Sequence, residues 1–153
     1  MAHPKDKTTL DLFEWQPPQI VHRFEEIRVR AATLRQRVSL AVAETLKQAE
    51  GERDAIATQV SDWLGETVTL NMLDAYASQA REDHSIPVVR LLGLIHATGD
   101  LRVLQMMAEM FGHSVIDNKW LPWVEVGQLA DKKDEFDRAF DAARRQARKA
   151  MRP

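Results

Sequence analysis

Glycines and prolines punctuate the stretch from Arg53 to Gly112 at intervals of about one short helix. It reads RDAIATQVSDWLGETVTLNMLDAY and then IPVVRLLGLIHATGDLRVLQMMAEMFG. Proline removes a helical donor, and glycine readily takes the left-handed conformation that ends a helix. This punctuation therefore predicts four short helices in a row. Two of them, joined by a tight turn, have the outline of a helix-turn-helix, a common way to present one helix to the major groove of DNA.

The rest of the chain agrees with a helical class. A single tyrosine and few alternating β-branched runs argue against a sheet, while Ala, Leu, Glu, Gln and Arg dominate the long middle segments. The expectation is an all-α helical bundle with long N- and C-terminal helices. Residues 1–19 should form a disordered tail, 20–117 a helical domain containing the helix-turn-helix at 53–80, and 118–153 a charged C-terminal helix.

Within the domain, Phe24, Ile27, Ala31, Leu34, Val38, Ala41, Val42 and Leu46 fall three or four apart, as one helical face requires. The segment fits one long helix or two; Thr33 is a suitable N-cap for a second helix, which favours a break near Ala32. The next helix should bury Ile56, Val60, Trp63 and Leu64 and end at Gly65. Thr69 should cap one that buries Met72, Leu73 and Tyr76. Pro87 suits the first turn of a helix with Val88, Leu91, Leu92 and Ile95 inward, and Gly99 ends it. Asp100 caps another carrying Leu101, Leu104, Met107 and Phe111. Pro122 opens the last helix, along which Leu129, Phe136, Phe140, Ala143 and Ala147 give a thin apolar seam able to pack along the domain or pair with a second copy.

Several function classes are disfavoured. There is no cysteine, so neither a disulfide framework nor a thiolate metal site is available. His3, His22, His84, His96 and His113 are too dispersed for a metal centre, and His96 reads as a packed or partly exposed side chain. No catalytic spacing such as GxSxG, HExxH or a Gly-rich phosphate loop occurs, so the expectation is a protein that is not an enzyme and needs no cofactor. Trp63, Trp120 and Trp123 lack the interleaved bases of a single-strand binding platform; core packing and docking of the last helix account for them better. No apolar run approaches the roughly 20 residues needed to cross a bilayer, and nothing near Met1 resembles a signal peptide, which implies a cytoplasmic protein.

Net charge is −2, so any attraction to nucleic acid must come from how the charges are placed. From Glu44 to Asp83 there are nine acids against three bases. The flanks are basic, with Arg23, Arg28, Arg30, Arg35 and Arg37 on one side and Arg144, Arg145, Arg148, Lys149 and Arg152 on the other; nonspecific phosphate contacts belong there.

In the helix-turn-helix reading, Ala57 faces inward, Gly65 and Val68 make the turn, and Leu73 with Tyr76 anchors the second helix. Thr69, Leu70, Asn71, Asp74, Ala75, Ser78 and Gln79 then face outward. Asn71 and Gln79 are the residue types that read adenine edges, Thr69 and Ser78 those that bind phosphate, and Arg53 and Arg81 those that hold the DNA backbone. The bland alternative is a small helical bundle, which shows the same turns and faces without binding DNA.

A second class is an adaptor that binds protein. Leu10, Asp11, Leu12 and Phe13 lie in a polar context, as short groove-binding peptides do, and LDLF resembles the Gln-Leu-Asp-Leu-Phe motif that docks on the bacterial sliding clamp. Thr9 stands where that motif has glutamine. The seam of the terminal helix is another candidate for a protein partner.

The whole segment from Leu34 to Phe140, above all VTLNMLDAY, HSIPVVRLL and HATGD, resembles the lambda-repressor-like regulatory modules of temperate phages. It is closer still to small proteins of Mu-like transposing phages known as DNA transposition proteins. The resemblance implies a phage-encoded protein binding double-stranded DNA in transcription or transposition control. The chain departs from an ordinary repressor in setting Gly65 eight positions after Ala57 and in a longer turn before Leu73, which implies a displaced recognition helix.

Overall fold

The computed structural model describes residues 19–80 and 83–151. Among them are seven α-helices, one 3₁₀ turn and no strand, so the fold is all-α. The chain divides into two compact units, Met1–Val115 and Ile116–Pro153.

The first unit begins with the single turn α1 (Glu26–Val29) and the 15-residue α2 (Leu34–Gln48). Thr33 separates them, its Oγ1 accepting a hydrogen bond from the Gln36 N–H at 3.2 Å. The N-terminal segment is therefore broken where that capping residue predicts. Four further helices follow: α3 (Arg53–Leu64), α4 (Leu70–Ala77), α5 (Val88–Thr98) and α6 (Arg102–Glu109). Gly65 and Gly99, at φ 69° and 67°, close α3 and α5 in the left-handed conformation, where a Cβ would be strained.

Val42, Val60, Leu73, Leu94 and Val103, one from each of α2 to α6, are wholly buried in one core. Phe24, Val29, Leu46, Ile56, Ala57, Leu91 and Met106 enlarge it. α3 and α5 make the most extensive helix contact. A Cβ built on Gly93 would come within 2.9 Å of Val60 Cγ1 and 3.0 Å of Leu64 Cδ1, so the missing side chain sets how near the two helices lie.

That contact selects the phase of α5, and the expected inner stripe there is rotated. α5 is apolar nearly all round, so several phases satisfy a helical period. The phase adopted turns Leu91, Gly93 and Leu94 inward and leaves Val88 and Leu92 exposed. On α6 the inward residues are Val103, Gln105 and Met106, whereas Leu101, Leu104 and Phe111 are exposed. Gln105 takes a core position because its amide is satisfied: Nε2 donates to Glu109 Oε1 at 2.6 Å, and Oε1 accepts from the Val115 N–H at 2.6 Å. Ile27 and Leu34, at the broken end of the expected N-terminal face, are also exposed.

A polar bracket ties the helix ends together. Arg102 grips Asp100 through Nε at 2.9 Å and Nη2 at 2.7 Å, and its backbone N–H donates to the same carboxylate at 3.0 Å. Thr45 Oγ1 of α2 donates to Asp100 at 2.8 Å, and Arg102 Nη1 donates to Gln48 Oε1 at 2.8 Å. Gln48 in turn donates to Glu44, which also accepts from Arg28 at 3.0 Å. The Arg102 guanidinium lies 4.4 Å from the Phe24 ring centroid. The N-cap of α6 is Leu101, not Asp100 as expected; from one residue earlier the Asp100 carboxylate accepts the first helical N–H and also fastens that helix to α2.

The second unit consists of a 3₁₀ turn (Asn118–Trp120) and α7 (Leu121–Ala150), with Pro122 in the first helical turn. No side chain of α7 is buried. Trp123 is exposed, so the expected packing role does not hold for it, while Trp120 is half-buried.

The bracket makes stability depend on pH. Burial pushes the Asp100 carboxyl upward, but the hydrogen bonds from the Arg102 side chain and backbone and from Thr45 outweigh it and hold the group below the ordinary carboxylate value. The unfolded chain then takes up this proton more readily than the folded one. The contribution is complete above the unfolded value of about 4 and disappears as the pH falls through the lower folded value. In urea unfolding followed from neutral into acid solution, the native chain should lose more stability over this range than Asp100→Asn, whose curve should be flatter there.

Candidate nucleic-acid interface

The expected two-helix unit is present as α3, a turn and α4. Its turn is held by one side chain. Ser61 Oγ accepts a hydrogen bond from the Val68 N–H at 2.9 Å and lies 2.8 Å from the Ala57 carbonyl and 3.0 Å from the Val68 carbonyl, two acceptors that share its single proton. Val68 is buried, and Gly65 N–H closes the helix on the Ser61 carbonyl at 2.9 Å. Thr69 Oγ1 then accepts from the Met72 N–H at 3.3 Å, starting α4 in a fixed direction. Ala57, Leu73 and Tyr76 are buried, as the helix-turn-helix reading requires.

The outward face of α4 is smaller than expected. Asn71 and Asp74 are exposed and, with Ser78 and Ala75, line an open hollow. Ala75 itself is buried at 5% exposure, so it belongs to the inner side. α4 ends at Ala77, with the Ser78 N–H turning back to the Ala75 carbonyl at 3.3 Å. Ser78 is therefore the C-cap, and Gln79 lies in the turn beyond it. The reason is local: after Ala77 the sequence reads Ser-Gln-Ala, which offers nothing large to bury and so no packing to extend the helix.

Electrostatics divides the candidate residues further. Arg53 Nη1, at the start of α3, donates to Asp74 Oδ1 at 2.8 Å, and both side chains are about half exposed. Arg53, expected to hold the DNA backbone, and Asp74, on the outward side of α4, thus neutralise one another. Arg90 of α5 is likewise engaged, by Glu66 at 2.9 Å and by the Tyr76 hydroxyl. Thr69 Oγ1 accepts in the helix cap, which leaves its O–H able to donate. Asn71 is left as the exposed amide at the N-terminal end of the presented helix. Arg81 and the segment Leu10, Asp11, Leu12 and Phe13 lie outside the described residues.

Two features were not anticipated. Arg23 and Arg28 of the basic N-terminal flank are paired, Arg23 with Glu109, and Arg28 with Glu25 at 2.8 Å and Glu44 at 3.0 Å. Trp63, expected in the core, is 49% exposed and stacks on His96 with ring centroids 4.7 Å apart. The Arg53 to Asp74 pair had no local sequence signal, because 21 residues separate its partners.

No helix is long and apolar enough to cross a membrane, and no group of three or more His, Asp or Glu is placed to hold a metal ion among the described residues. No family model matches the chain, and neither a curated protein nor a solved structure does.

Replacing Ser61 by alanine leaves the part-buried Val68 N–H without its acceptor. The expected loss is about 1–3 kcal/mol of unfolding free energy, measurable by urea denaturation, with hydrogen exchange at Val68 accelerated beyond the global effect.

Proposed function

We propose that this protein is a non-enzymatic DNA-binding regulator, acting in transcription or transposition control of a transposing phage, with α3 and α4 as its helix-turn-helix. The observation that supports this reading best is the Ser61 lock, which fixes the turn and presents α4 with Asn71 exposed near its N-terminus. Recognition helices commonly meet base edges with their N-terminal residues. An asparagine amide matches the donor and acceptor pair of adenine, and a carboxylate such as Asp74 matches the amino group of cytosine. Because Arg53 is already paired, phosphate attraction at this face is modest, and affinity rests on base contacts together with bases elsewhere in the chain.

A second reading, an adaptor that binds protein, is favoured by the same Arg53 to Asp74 pair, since it cancels the cation expected to grip phosphate. In that case the LDLF segment or α7 carries the interaction, and the bundle is a scaffold.

Binding of the full chain to random and phage-derived duplexes at two salt concentrations separates the two. Under the first reading, Asn71→Ala weakens sequence-specific binding by about tenfold or more, the scale of one base contact. Asp74→Asn, which releases Arg53 and removes an anion, should tighten nonspecific binding and steepen its salt dependence by about one phosphate contact. A chain that binds neither duplex even at low salt, with both variants equally silent, would leave the adaptor reading standing.

A further inference from the structure

We infer that α7 pairs with α7 of a second copy as an antiparallel two-stranded coiled coil. From Pro122 to Ala150 its seam steps by four and three residues without interruption: Pro122, Val126, Leu129, Lys133, Phe136, Phe140, Ala143, Ala147, Ala150. That is four heptads, enough to specify a coiled coil, and Lys133 is its one charged position. None of these side chains is buried within the chain, and Phe136 is 76% exposed. A 30-residue helix with an unburied seam that is uncharged at every position but Lys133 has the form of half a coiled coil.

Size and charge both select the occupant and its direction. The bulky seam residues lie in the first two thirds of the helix and the alanines in the last third. In a parallel pair each residue meets its own copy, so Lys133 faces Lys133 and three successive layers hold only alanine, leaving gaps. In an antiparallel pair centred between Phe136 and Phe140, those two rings meet each other's counterparts in the middle. Lys133 then lies over Ala143, Leu129 over Ala147 and Val126 over Ala150, so large meets small in every outer layer. Lys133 keeps its charge satisfied through Asp137 of its own helix, 2.6 Å away, while its stem covers the alanine.

Charge follows the same division. Residues 121–135 carry four acids and two bases, and 136–150 carry two acids and five bases. Antiparallel pairing sets the acidic half of each helix against the basic half of the other, and opposes the two helix dipoles. The same complementarity makes a second copy of this chain a better fit than an unrelated apolar helix.

The test uses the full chain, whose lack of cysteine makes introduced thiols unambiguous. Sedimentation equilibrium from micromolar to hundred-micromolar concentration should show a monomer–dimer equilibrium, and Phe136→Asp with Phe140→Asp should weaken it at least about 100-fold, the scale of losing a central aromatic cluster. Oxidising an equal mixture of Leu129→Cys and Ala147→Cys chains should give the mixed disulfide, with little product from either chain alone. A monomer at every concentration, or a dimer indifferent to the two aspartates, would overturn the pairing. Efficient homodisulfides from each single variant would overturn its antiparallel direction.

Discussion

Helices of 8 to 15 residues, the lengths of α2 to α6, are marginal in water by themselves. What holds these five is a shared core to which each contributes a wholly buried aliphatic side chain: Val42, Val60, Leu73, Leu94 and Val103. The presented face of α4 exists only because Leu73 and Tyr76 are held on its other side. No helix of this unit, the candidate interface included, is independent of that packing.

Polar interactions then choose among the arrangements that would bury similar area. Gly93 lets α5 approach α3, and Asp100 with Arg102 and Thr45 fastens the start of α6 to α2. Ser61 does the same for the turn before α4. Each of these depends on a partner distant in sequence or on one conformation of the backbone. They specify orientation more than they add stability, since hydrogen bonds and ion pairs made on folding replace contacts with water.

The two units rely on different physics. The first has a buried apolar core of its own. In the second, α7 keeps its helix with local help such as the Lys133 to Asp137 pair and leaves its seam uncovered. If α3 and α4 bind DNA, pairing through α7 gives the protein two such units in one assembly, and a modest affinity at each would be multiplied by the linkage between them.

The sequence by itself determined the helical class and most of the helix boundaries. Thr33, Gly65, Thr69, Gly99 and Pro122 stand where the helices start or stop, because capping and left-handed turns are local chemistry read from one or two residues. Leu73, Tyr76, Ala57 and Val60 were legible as core residues because Gly65 and Thr69 mark where their helices stop and start, and their apolar positions recur at three- and four-residue spacing from there. What only the tertiary structure decided is which side of α5 and α6 faces inward, the exposure of Trp63, and the pairing of Arg53 with Asp74. α5, apolar nearly all round, fits several rotations equally, and α3 against Gly93 breaks the tie; on α6 the inward side includes Gln105, whose amide is satisfied by Glu109 and Val115. Ion pairs between side chains 21 residues apart leave no periodic trace, so the electrostatic character of the candidate interface arises only when α3 and α4 are folded against each other.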